Sequence, residues 1–106
     1  MSIMESCEPA IELGSTLYAK IVTHSSTLVA AAPSAAPSYQ VYSADGTTPI
    51  GAPGTATQFA ATTGLYKAEI VCSSGNGFAA GSHYKVVFTY VIGGTTYTKV
   101  VSFAVA

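Results

Sequence analysis

The chain has 106 residues, a net charge of −1 and only 8% charged side chains, against about 25% in an ordinary soluble domain. That length suits one domain rather than two, with a core that needs neither metal nor disulfide. The cations are Lys20, Lys67, Lys85 and Lys99 and the acids Glu5, Glu8, Glu12, Asp45 and Glu69, which excludes a basic stripe for nucleic-acid phosphates, and no apolar run is long enough for a membrane helix.

Residues 1–9 read as an arm that carries Glu5 and Glu8 and ends in Pro9. It has neither the basic nor the apolar region of an export signal. Synthesis in a reducing cytoplasm, with Cys7 and Cys72 as free thiols, is therefore expected. The alternation then begins. Ile11 and Leu13 alternate, Gly14 permits a bend, and Leu17, Ala19 and Ile21 point one way with Tyr18, Lys20 and Val22 the other, a strand period of two. TLVAAA (27–32) is too short for a helix without packing and reads as a short strand or loop running into a proline turn. Tyr39 and Val41 alternate with Gln40 and Tyr42, and Asp45-Gly46 marks a turn. TPIGAPGTATQFAA reads as a Gly/Pro-rich link with one short strand near Thr57–Ala60.

After Gly64, Tyr66, Ala68, Ile70 and Cys72 share one face, with Leu65, Lys67, Glu69 and Val71 opposite. SSGNG is a turn. Tyr84, Val86, Phe88, Tyr90 and Ile92 form one face of the next strand, Gly93-Gly94 a tight hairpin, and TTYTKVVSFAV the last strand. In that strand Tyr97, Lys99, Val101, Phe103 and Val105 share a face, but both faces are apolar enough to be core. About seven short strands and no helix predict an all-β chain, a single antiparallel immunoglobulin-like β-sandwich over residues 10–106. Tyr84, following Gly81 at the start of the penultimate strand, stands where a tyrosine corner would.

Reactive constellations are scarce. His24, His83, Asp45 and many serines supply the ingredients of a triad, but G-x-S-x-G is absent and AGSHY is a strand entry. Paired carboxylates across a cleft, a C-x-x-C or H-x-x-x-H metal spacing and a phosphate-binding loop are all missing. No enzymatic activity, cofactor or metal is expected.

The surface is the remaining candidate. Size scaling gives about 5,500 Å² of folded surface, or about 600 Å² per charged group. Either hydroxyl-bearing residues keep this surface soluble, or part of it is covered by other subunits, since charge is depleted at the cores of such interfaces. The seven tyrosines supply large contact area at small entropic cost, and Val87, Val91, Val100 and Val101 make the last hairpin apolar on both faces although a sandwich buries only one. The candidate interface residues are Tyr18, Tyr42, Val87, Val91, Tyr97 and Val101.

APSYQVYSADGTTPI, followed by TGLYKAEIVCSSGNGFAAGSHYKVVFTYVIGGTTYTKVVSFAV, resembles small virion-associated sandwich proteins of tailed bacteriophages, over roughly residues 35–105. The shared features are the D-G turn, the TGLY strand entry, NGFAAG leading to Tyr84, and the closing SFAV. The resemblance implies a capsid decoration (cement) protein that binds junctions of the major capsid protein on the capsid exterior, as a homotrimer, with no catalytic residues to transfer. The alternative is a receptor- or glycan-recognition module of a phage tail, baseplate or bacterial surface protein.

Overall fold

The structure, a computed structural model, describes residues 10–24, 31–59, 61 and 63–106. The expected arm with Cys7, and Thr27–Ala30 of the TLVAAA stretch, lie outside the described residues. Among those described there are eight strands and no α-helix: β1 (Ala10–Ile11), β2 (Thr16–Val22), β3 (Ser38–Ser43), β4 (Pro49–Thr55), β5 (Thr57–Gln58), β6 (Leu65–Val71), β7 (His83–Ile92) and β8 (Thr95–Val105). They form a five-stranded sheet, β1-β8-β7-β3-β4, and a three-stranded sheet, β2-β6-β5. This is the order of an immunoglobulin-type sandwich whose first strand has crossed to the sheet of the last.

The core lies between the sheets. Leu17, Ala19 and Ile21 of β2 and Ala68 and Ile70 of β6 meet Val41 of β3, Val86, Phe88 and Tyr90 of β7, and Phe103 and Val105 of β8. Each set is the alternate residues of its strand, as the period of two requires. Thr23, the one buried polar side chain among the described residues, donates its hydroxyl to Ala31 O at 2.7 Å. Its desolvation is thereby compensated.

Turns are made where glycine allows positive φ. Ile92 pairs with Thr95 around Gly93 (φ 59°) and Gly94 (φ 82°), the two-residue hairpin whose twist matches its strands. Gly14 (φ 94°) ends the excursion between β1 and β2.

Tyr84 does form the expected corner: the Ala79 N–H donates to its hydroxyl at 2.8 Å. Its ring packs edge-on to Phe78 at 4.9 Å between centroids and lies 5.6 Å from Phe103. The loop before β7 is thus tied to the core by one hydrogen bond and two ring contacts. Tyr84→Phe is expected to lower stability by about 1 kcal/mol, the net worth of one hydrogen bond whose amide partner is left unpaired. Urea denaturation tests this, and unchanged stability would remove the hydrogen bond from the determinants of the fold.

Three expectations need correction. The sheets are not wholly antiparallel, because β1 pairs with β8 in parallel, Ala10 opposite Ala104 and Ile11 opposite Val105. The Gly/Pro-rich link contains a full strand, β4, beside β3; it lies at the sheet edge, where Pro49 and Pro53 can face away from the ladder. The register slips between Tyr39 and Val41, and the Gln40 side-chain amide sits at the slip, donating to Val41 O at 3.0 Å. Of the short strand near Thr57–Ala60, Thr57–Gln58 is strand and Phe59 is not, while Ala60 lies outside the described residues.

Because β5 is so short, the outer edge of β6 is unpaired beyond Lys67. Side chains cover it instead: the Tyr39 hydroxyl reaches Glu69 O at 3.5 Å, and Asn76 Nδ2 donates to Val71 O at 3.0 Å. A cleft of about 240 Å³ lies behind this edge, bounded by Val41, Ile50 and Phe78.

Candidate functional site

The six residues proposed for an interface do not share a surface. Tyr18 stands 53% exposed on the outer face of the three-stranded sheet. Tyr42, Val87 and Val91 are half-buried on the outer face of the five-stranded sheet, alternating with inward Val41, Val86 and Tyr90. Tyr97 and Val101 point the other way. Their β7 partners are Tyr90 and Val86, both buried, and both side chains pack against the core. Tyr97 stacks on Tyr90 at 5.6 Å. They are therefore half-buried against the core and not on an outer sheet face.

Tyr97 shares its strand face with Lys99, a charged side chain among apolar ones. Lys99 is reconciled with an inward face by its neighbour: its Nζ lies 2.9 Å from His24 Nε2. A long side chain can lay its stem on apolar surface while its head finds a polar partner.

The outer face of the three-stranded sheet is richer than Tyr18 alone. The β2–β6 register sets Tyr18 opposite Glu69, Lys20 opposite Lys67 and Val22 opposite Leu65. Val22 is 44% and Val71 47% exposed. The Phe59 N–H donates to Leu65 O at 2.8 Å, which brings the ring beside β6. Lys20 Nζ then lies 5.0 Å and Lys67 Nζ 5.8 Å from the Phe59 centroid, and Lys67 Nζ 5.5 Å from that of Tyr18. Like charges directly opposite on neighbouring strands are unfavourable. Cation–π attraction to the shared ring and the Lys67–Glu69 ion pair at 3.3 Å offset that repulsion. The alternation sets Val22, Leu65 and Val71 on these outer faces without marking them as interface candidates, and it does not single out Phe59, because no pattern along the chain shows which residues the register makes neighbours.

The groups with catalytic potential are engaged elsewhere. The Asp45 carboxylate accepts from Ser43 Oγ, from the Thr47 N–H at 3.1 Å and from Thr47 Oγ1 at 2.8 Å. These bonds, that of Ser43 foremost, lower its pKa to about 2. A depressed folded-state pKa means that the turn stabilises the fold above the ordinary carboxylate range and loses that contribution as pH falls from about 4 towards 2. NMR titration is expected to show a midpoint of about 2 for Asp45, and Asn at this position is expected to flatten stability across that window. A midpoint near 4 would mean that the turn opens in solution. Cys72 is fully buried, and burial raises its thiol pKa, the reverse of activation. His83 and Asp45 border one shallow opening, while His24 lies near the far end of β7, where its carbonyl accepts from the Tyr90 hydroxyl at 3.3 Å. Among the described residues no three His, Cys, Asp or Glu side chains gather to hold a metal ion, and no helix is long and apolar enough to cross a membrane.

Compared with known proteins, the chain matches no family model, no curated protein and no solved structure. Fold and surface alone therefore define its class: an all-β sandwich of immunoglobulin-type strand order, with an exposed aromatic and lysine-bearing sheet face.

Proposed function

We propose that the chain is a non-enzymatic structural protein that seats a sheet face on a larger protein assembly. The assembly is the head of a tailed bacteriophage, where the chain acts as a decoration protein at junctions of the major capsid protein, as a homotrimer on the capsid exterior. The observation that carries the docking part is the outer face of the three-stranded sheet. A sandwich buries the inner faces of its sheets, yet Tyr18, Val22 and Val71 stand on this outer face about half exposed. Clustered apolar side chains of this kind mark interaction sites. The phage head is favoured by the resemblance of the turns and tyrosines between residues 35 and 105. The absence of enzymatic activity is supported by Asp45 and Cys72, which are committed to a turn and to the core.

The mechanism is mass action. A protein that binds only the assembled shell stabilises it by its binding free energy, and copies at many junctions add. Quantitative mass spectrometry of purified particles tests the reading. Copies that scale with the major capsid protein are expected. A handful of copies would place the chain in the neck or tail, and absence from particles would overturn the proposal.

A further inference from the structure

The exposed aromatic face also carries a charge pattern. Lys20 and Lys67 are cross-strand partners, and both ammonium groups lie within 6 Å of the one Phe59 ring. Among the described residues a single acid, Glu69, meets them, through Lys67 alone. Half of the chain's four cations are thus gathered on one face, and among the described residues one carboxylate joins them, a local excess of one positive charge in a protein whose net charge is −1. Three of the five large exposed hydrophobic residues among those described stand on this face: Tyr18 and Val22 adjoin Lys20 along β2, and Val71 lies beyond Glu69 along β6.

We infer that Lys20 and Lys67 form a two-pronged receptor for a carboxylate side chain that a partner protein presents from an apolar surface. This rests on the reading of the chain as a protein that docks on a larger assembly, and names the chemistry of its partner. The site is built for that occupant in two respects. The register sets the lysines directly opposite each other with both ammonium groups near one ring, so a carboxylate placed between them gains a charge-assisted hydrogen bond from each. The flanking Tyr18 and Val22 exclude water once covered, which strengthens that attraction. Phosphate-rich partners are disfavoured, because two lysines beside Glu69 fall short of the basic patch that polyanions require.

A water-soluble carbodiimide joins a carboxylate to an amine only when the two are in contact. Tagged full-length chain is treated with it in an extract of its native host, and the linked peptides are sequenced. The expected result is a link from Lys20 or Lys67 to an Asp or Glu of another polypeptide. Lys20→Gln and Lys67→Gln should each weaken binding to that polypeptide about tenfold or more, with Lys85→Gln close to neutral. Circular dichroism of the variants checks that they fold.

Links only through Lys85 or Lys99, links only to acids of this chain such as Glu5 or Glu8, the absence of any link, or equal effects of the three substitutions would each overturn the inference. The polypeptide's identity bears separately on the proposed function. A capsid subunit supports it, and any other protein overturns it while leaving the carboxylate receptor standing.

Discussion

Replacing Phe103 by alanine is expected to remove about 3–5 kcal/mol of stability, the usual cost of deleting a buried aromatic ring. Phe103 is fully buried, and its ring lies 5.6 Å from Tyr84 and 6.1 Å from Phe78. The substitution therefore opens a cavity where both sheets and the tyrosine corner meet. In a domain worth about 5–15 kcal/mol in all, the loss should lower Tm by about 15–25 °C. Val100, on the opposite face of the same strand, is 53% exposed, and Val100→Ala should stay within about 0.5 kcal/mol. Urea denaturation of the two variants measures the contrast. Similar losses would show that the faces of β8 are not divided as described.

Gly54→Ala is expected to cost about 1–3 kcal/mol, the range for overpacking, although alanine adds a single methyl group. The obstacle is steric. A Cβ at Gly54 would lie 2.5 Å from the Tyr39 hydroxyl oxygen and 2.6 Å from Cζ. The ring would have to leave the site where it packs 5.9 Å from Phe88 and covers Glu69 O. In a Tyr39→Ala background the same substitution should cost much less, so a double-mutant cycle reads the coupling directly. Additive losses would show that the tyrosine moves aside freely.

The strands that pack most were the most legible. In β7, Tyr84, Val86, Phe88 and Tyr90 alternate with Lys85, Val87 and Thr89, and the first set is the buried one. The division of β6 between inward Ala68 and Ile70 and outward Glu69 and Val71 holds equally. Legibility failed where composition and position conflict. β4 contains Pro49, Gly51, Pro53 and Gly54, which reads as a link because propensity describes central strands, whereas an edge strand has one side free of hydrogen-bonding obligations. In β8 both faces offer valines, so the pattern leaves its core face open, and Lys99 lies on the side that is in fact inward. The partner that resolves it, His24, is 75 residues away along the chain. The candidate site was legible only in part for the same reason. Tyr18 announces itself as an outward tyrosine, but Lys20, Lys67 and Phe59 become one cluster only through pairings between β2, β6 and the residue after β5.

The parallel pairing of β1 with β8 gives the domain a mechanical property. Ala10 lies beside Ala104 and Ile11 beside Val105, and the bonds continue through Ala106, whose N–H donates to Ile11 O at 2.8 Å and whose carbonyl accepts from the Leu13 N–H at 3.3 Å. Tension applied at Ala10 and at Ala106 pulls these two strands in opposite directions along their common axis. The bonds between them are loaded in shear and must yield together. An antiparallel pairing at the same place would let them open one at a time, like a zip.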